Sequence, residues 1–225
     1  MPPRAQATFL MDSKPEDAAA KARQALAWLH TARFLTTAAQ LPQLPAVQVP
    51  EIAFVGRSNA GKSTCINTLT QQRQLAFASR TPGRTQHINL FALGRGGALD
   101  AVLADLPGYG YAAVPRADKA RWQQVMLNYL LSRASLRAVV LLCDARRGLT
   151  ELDLALLDAL RTRVEAGLAF LLLLTKADKL PRTAQARALS IARLNTAGGQ
   201  ALLFSALKRQ GVDAAAQWLW QMGQP

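Results

Sequence analysis

Residues Gly56-Arg57-Ser58-Asn59-Ala60-Gly61-Lys62-Ser63 spell G-x-x-x-x-G-K-S between an apolar run and a stretch of helical spacing. Two glycines let a backbone wrap closely around a polyphosphate, with its amides aimed inward. The helix that follows adds the positive end of its dipole to the same anion. Lys62 is placed to reach the β- and γ-phosphates, and the Ser63 hydroxyl to ligate Mg²⁺, with Thr64 beside it in the first helical turn. Glu51 to Val55 reads as a short buried strand, and Cys65, Ile66 and Leu69 carry the helical spacing. Strand, loop and helix together are the context that a phosphate-binding P-loop requires. A chance glycine-rich turn would lack these flanks.

Such a loop does not select the nucleotide, and three further segments bear on that choice. Asp105-Leu106-Pro107-Gly108 closes the apolar strand 101–104, which puts an acid at the carboxyl edge of a sheet. There Asp105 can hold Mg²⁺ through water, and the Gly108 amide can sense the γ-phosphate. Thr175-Lys176-Ala177-Asp178 closes the strand 170–174 at the same edge. Asp178 can accept hydrogen bonds from both guanine N1–H and the exocyclic amine, and adenine offers no such donor pair. A buried carboxylate left unpaired is costly, so discrimination of roughly 10⁴ is attainable. The Lys176 stem would pack along the base with its ammonium near the P-loop. Phe204-Ser205-Ala206 follows the last strand and would offer a backbone amide to guanine O6.

The third segment, Thr81-Pro82-Gly83-Arg84-Thr85-Gln86, lies in a loop ahead of the next strand. Thr85 sits where a switch threonine closes on Mg²⁺ when the γ-phosphate is present. Gly83, Arg84, Thr85, Gln86 and His87 therefore join the nucleotide-binding residues, a plain turn being the alternative. Lys62, Thr85 and Gly108 form the expected catalytic set, and Ser63, Thr85 and Asp105 the Mg²⁺ set. Position 109, directly after D-x-x-G, is a tyrosine and cannot orient an attacking water as a glutamine would.

These residues need a scaffold that brings strand ends together. Strands are expected over 51–55, 87–93, 99–104, 137–143, 168–174 and 201–204, and helices over 62–71, 118–132, 150–165, 183–196 and 211–221. Helical composition also runs over 16–32, a short strand over 33–37, and a proline-rich linker over 41–50. The glycines of 94–97 make a hairpin, so the strands they join are antiparallel. The remainder alternates strand and helix, and the runs FLLLL and AVVLL are apolar on both faces. That is the pattern of an α/β, three-layer fold with a mostly parallel sheet.

The chain has 225 residues and 50% hydrophobic content, enough for one domain, 31–225, with an extension at 1–30 of flexible start and short helix. No apolar run is long enough to span a membrane and no signal segment opens the chain, which implies a cytoplasmic protein. Cys65 and Cys143 lack metal-ligand spacing, and His30 and His87 are isolated in sequence. No heptad pattern calls for a dimer, so a monomer is expected. The net charge of +13, from 27 Lys+Arg against 14 Asp+Glu, points to a polyanionic partner. It is spread over Arg80, Arg84, Arg116, Lys119, Arg121, Arg133, Arg137, Lys179, Arg182, Arg187 and Arg193. Spread charge suits nucleic-acid backbone and shape, not reading of DNA sequence.

G-R-S-N-A-G-K-S, T-P-G-R-T-Q, D-L-P-G-Y-G-Y-A, T-K-A-D-K-L and F-S-A-L-K-R-Q-G, taken together, resemble the EngB (YihA/YsxC) family of bacterial GTPases, from about Arg33 to the C-terminus. Thr175 stands where the N-K-x-D element of GTPases has asparagine, and Ala206 where the family more often has a second serine. The resemblance implies a Ras-like G domain with one antiparallel strand and an extra N-terminal strand, binding GTP and GDP and hydrolysing GTP slowly. It further implies assembly of the large ribosomal subunit, through rRNA and ribosomal proteins, and a need in cell division and septation. GTPases that lack the glutamine and carry asparagine at the Asn59 position imply a K⁺ ion there. Two rivals stand beside this reading. One is a division-apparatus interaction protein that uses nucleotide as a structural ligand, and the other an ATP-driven phosphoryl-transfer enzyme, which Asp178 opposes.

Overall fold

The structure, a computed structural model, describes residues 15–76, 87–110, 116–196 and 199–224. Seven strands form one sheet: β1 Arg33–Ala38, β2 Glu51–Gly56, β3 Ile88–Leu93, β4 Ala101–Asp105, β5 Leu136–Asp144, β6 Ala169–Thr175 and β7 Gln200–Leu203. Among the described residues six α-helices accompany them: α1 Pro15–Leu29, α2 Lys62–Thr70, α3 Arg116–Ser132, α4 Glu151–Glu165, α5 Arg182–Leu194 and α6 Val212–Met222. The strand order is β1-β3-β4-β2-β5-β6-β7. β3 is the reversed strand, antiparallel to both β1 and β4, while every other ladder is parallel. The fold is therefore α/β as the sequence implied, with β1 as the extra N-terminal strand at the sheet edge.

Residue alternation explains the layering. In β2, Ile52 and Phe54 join a cluster with α1, α2 and α6, whereas Ala53 and Val55 join one with α3, α4 and α5. All six residues of β2 are buried, which is why the central strands read as unbroken apolar runs. Parallel strands all end at one edge, so the segments after β2, β4, β5, β6 and β7 converge there. The site is assembled at that edge.

Two segments outside the alternating pattern are bound to the domain. The linker 41–50 carries a short 3-10 turn at Leu41–Gln43; Leu44 is buried, and Leu41, Val47 and Val49 lean on the same apolar cluster. Helix α1 inserts Ala25, Trp28 and Leu29 into the core beside Trp218 and Leu219 of α6. A Cβ added at Gly223 would overlap the Trp28 ring. Trp28→Ala is expected to cost about 3–5 kcal/mol of stability through the cavity it leaves. Urea unfolding measures this, and nucleotide affinity at low denaturant should stay unchanged.

Part of the basic charge is consumed internally. Glu51, fully buried at the start of β2, accepts from the Tyr129 hydroxyl at 2.6 Å and from Arg133 Nη2 at 2.6 Å and Nε at 2.9 Å. Arg133, counted in the sequence among charges for a polyanion, is thus paired inside the fold. Burial, then the Glu51 charge, pushes the Tyr129 phenol well above its ordinary range.

Candidate functional site

β2 ends at Gly56, where a Cβ would stand 2.7 Å from the Leu142 carbonyl oxygen on neighbouring β5. Only glycine lets the chain leave the sheet so close to its neighbour. The loop then places Asn59 at φ +66° and Gly61 at φ +91°, both left-handed. Consecutive turns of this kind point amides into a common concavity, the geometry that receives phosphate. Gly61 caps α2, whose first residue is Lys62. Lys62 forms a buried ion pair with Asp105 at the end of β4. The second oxygen of Asp105, Oδ2, is buried and has no hydrogen-bond partner. Among the described residues no group of three or more His, Cys, Asp or Glu could hold a metal. This unpaired carboxylate oxygen, across from the start of α2, suits Mg²⁺, which takes one or two carboxylates and fills its shell with phosphate and water.

The D-x-x-G segment is paired to the P-loop. Leu106 N donates to Phe54 O at 3.1 Å, Tyr109 N to Gly56 O at 3.3 Å, and Ser58 N to Tyr109 O at 2.8 Å. The β2–β4 pairing is resumed by a parallel bridge between Arg57 and Tyr109. Gly108 is exposed, and a Cβ there would lie 3.2 Å from the Ser58 backbone. Tyr109 is buried instead, and its hydroxyl donates to Asp153 Oδ1 at 2.5 Å. Asp153 in turn accepts from the Thr150 amide and hydroxyl, each at 2.7 Å, in a capping box that starts α4. Burial first, and the Asp153 charge second, drive the Tyr109 phenol far above its ordinary range. The side chain standing in the glutamine position is thus neutral and engaged elsewhere.

The base-side segments meet through short backbone bonds. Phe204 N donates to Leu174 O at 2.8 Å and Ala177 N to Phe204 O at 3.1 Å. Thr175 Oγ1 lies 2.6 Å from the Ala60 carbonyl and 3.1 Å from that of Cys143, so the hydroxyl tethers β6 to the P-loop. Lys176, at φ +56°, sends Nζ to the Asn59 carbonyl at 2.8 Å. Asp178 Oδ1 accepts from Ser205 Oγ at 2.6 Å, and that hydroxyl accepts from Lys208 N at 3.1 Å. The Ser205 hydroxyl is the main reason that the Asp178 carboxyl lies below the usual carboxylate range.

The structure brings together Gly56–Thr64, Asp105–Gly108, Thr175–Asp178 and Phe204–Ala206. Within these, the side chains of Ala60, Leu106, Pro107, Ala177 and Phe204 are buried in the interior, leaving the backbone as their contribution. His87 is exposed just before β3. Gly83, Arg84, Thr85 and Gln86 lie outside the described residues, as do Arg80 and Tyr111. Three participants escaped the sequence reading: Asp144, Asp153 and the Ser205 side chain. A signal existed for two. Thr150-Glu151-Leu152-Asp153 fits the capping-box pattern, and Asp144 is the first acid after an apolar strand, as Asp105 is.

Residues 51–176 match the family described as 50S ribosome-binding GTPase. The probable GTP-binding protein EngB of Acidovorax ebreus is 76% identical over 200 residues, covering 89% of this chain and 92% of its own. The protein of the same name from Paraburkholderia phytofirmans is 50% identical over 196 residues, covering 83% and 89%. Among solved structures, a probable GTP-binding protein engB superposes with a TM-score of 0.61 at 19% identity, over 77% of this chain and 98% of its own. Era in complex with MgGDPNP and nucleotides 1506–1542 of 16S ribosomal RNA gives 0.59 at 18% identity, over 79% and 57%. At these identities the two structures speak to the fold alone.

Proposed function

The chain belongs to the EngB family of GTP-binding proteins and is a GTPase, and from that premise we propose that it is a Mg²⁺-dependent molecular switch of large ribosomal subunit assembly. The observation that carries the nucleotide reading is the buried Lys62–Asp105 pair at the mouth of a glycine-turned loop. When nucleotide binds, Lys62 turns to the β- and γ-phosphates, and the loop amides of 59–64 receive the anion. Asp105, Ser63 and Thr85 would hold Mg²⁺, which would supply positive charge to the phosphate oxygens. Asp178, braced by Ser205, reads the guanine edge, and the Lys176 stem covers its face. Gly108 and Thr85 report the γ-phosphate, and its loss releases the switch segments.

Because Tyr109 is committed to Asp153, no side chain at that position aligns water, and unassisted hydrolysis should run near or below ~10⁻⁴ s⁻¹. Asn59 is an exposed residue of the phosphate loop, and its backbone carbonyl accepts from Lys176. Its side-chain carboxamide oxygen would help seat a K⁺ ion against the phosphates, a charge that an arginine would otherwise bring. Hydrolysis should be several-fold faster in K⁺ than in Na⁺ buffer at equal ionic strength. Equal rates would remove the potassium site. The Ser205 brace has a pH signature: GDP affinity should hold as pH falls through the ordinary carboxylate range and drop only below it, where Asp178 protonates. In Ser205→Ala the Asp178 carboxyl returns toward its ordinary range, so the fall begins at higher pH.

For the partner, the family description and the free cations agree. Arg182, Arg187 and Arg193 of α5 are exposed, and among the described residues no carboxylate lies in ion-pair range of them. Such a face suits RNA backbone. No helix of the described residues is long and apolar enough to cross a membrane, and we place the protein in the cytoplasm as a monomer, with its part in cell division following from ribosome supply. Sedimentation of the GTP-analogue form with separated ribosomal subunits tests this. Selective recovery with large subunits supports the assembly role. Equal recovery with small subunits, or with neither, would favour a division-apparatus protein for which nucleotide is only a structural ligand.

A further inference from the structure

We propose that Asp144 is a positioning residue of the nucleotide site: it holds the Lys176 ammonium on the P-loop carbonyl of Asn59 and so presets the stem that covers the guanine. This rests on the reading above that Lys176 flanks the base. Asp144 ends β5 in register with Thr175 at the end of β6, and the Ala145 amide donates to the Thr175 carbonyl at 2.9 Å. Its carboxylate is nearly buried, at 8% exposure, and lies 3.0 Å from Lys176 Nζ through Oδ2. The same ammonium donates to Asn59 O at 2.8 Å. One nitrogen is therefore shared by the β5 end, the β6 end and the phosphate loop.

The arrangement solves a problem that Lys176 would otherwise pose. A lysine carries four rotatable bonds and a strongly hydrated head, and freezing it costs rotamer entropy. Its backbone is also held left-handed, at φ +56°, a conformation that disfavours side chains. Asp144 opposes both by offering a fixed charge close to where the head must lie. Arg146 fixes the carboxylate in turn: Nε donates to Oδ1 at 2.9 Å and Nη2 to Oδ2 at 2.7 Å, and the Arg146 amide donates to Oδ1 at 3.1 Å. Arg146 hydrogen bonding is the main reason that the Asp144 carboxyl lies far below the carboxylate range, with Lys176 adding to it. The carboxylate is thus charged throughout the working pH range, so the brace is permanent and not a pH switch.

The two cations on Asp144 are not equivalent, and the test uses that. Among the described residues Arg146 hydrogen-bonds to Asp144 alone and is 46% exposed, although its charge is also felt by Asp178, whereas Lys176 holds both Asp144 and the Asn59 carbonyl. Dissociation of a fluorescent GDP analogue is measured by stopped flow for the wild type, Asp144→Asn, Arg146→Ala, Lys176→Met and the Asp144→Asn/Lys176→Met double variant. Asp144→Asn and Lys176→Met should each speed dissociation by about tenfold, with the double variant no faster than Lys176→Met alone. Arg146→Ala loosens the carboxylate but leaves Lys176 its partner, so it should speed dissociation by clearly less than Asp144→Asn does. A merely structural Asp144 would instead make Asp144→Asn and Arg146→Ala alike, with effects that add to those of Lys176→Met. That result, or wild-type dissociation from Asp144→Asn alone, overturns the inference. Wild-type dissociation from Lys176→Met would instead overturn the underlying reading of Lys176. Thermal unfolding of the nucleotide-free variants separates any loss of fold from loss of grip.

Discussion

Asp178→Asn should lower GTP affinity by roughly 10⁴-fold and transfer the preference to xanthosine triphosphate. The carboxylate is an acceptor at both oxygens, and guanine presents donors at N1 and at the exocyclic amine. An asparagine amide turns one of those acceptors into a donor, which then faces a donor. Xanthine carries a carbonyl where guanine carries the amine, so the new amide finds an acceptor again. The magnitude is large because the contact is enclosed: Asp178 is mostly buried, and Ser205 already fixes one oxygen at 2.6 Å. An unmatched polar pair in such a place forfeits its water without recompense. Competition titrations with GTP, ATP and XTP read all three affinities at once. A variant that still prefers GTP would show that the base is read elsewhere.

Lys62→Met should abolish measurable GTP hydrolysis, a loss of at least about 10²–10³-fold, comparable to removing one preorganised electrostatic donor. It should also destabilise the nucleotide-free protein, because Asp105 is fully buried and Lys62 neutralises it. Breaking a buried pair from one side costs about 3–5 kcal/mol, since the remaining charge is left uncompensated. The double variant Lys62→Met/Asp105→Asn separates the two effects. Stability should largely return in the double variant while hydrolysis stays absent. Urea unfolding and a phosphate-release assay give the two readouts. Recovery of hydrolysis along with stability would mean that Lys62 serves the fold alone.

The elements of this site were legible to different depths. G-x-x-x-x-G-K-S, D-x-x-G and T-K-A-D each follow an apolar strand, and local chemistry suffices to read them, because the role proposed for each motif falls on its own backbone or one side chain. Residues that act across elements were not legible. Asp153 meets Tyr109 from 44 positions away, and Asp144 meets Lys176 only because β5 and β6 lie in parallel register. Glu51 was read only as the first residue of a short buried strand, and it is also the buried partner of Arg133, 82 positions on. Helix α1 was read as part of an extension, and its amphipathic face packs against α6 at the far end of the chain. Local pattern determines the strands and turns, whereas charge partners depend on strand order. Strand order was implied here by the family resemblance and not by composition.

If GTP, and not GDP, places this protein on the large ribosomal subunit as proposed, co-sedimentation with purified large subunits will show it, comparing a non-hydrolysable GTP analogue with GDP at low and high salt. Tight recovery is expected with the analogue at both salt concentrations, and little with GDP. Recovery that ignores the nucleotide and vanishes at high salt would contradict it, reducing the +13 charge to general affinity for RNA.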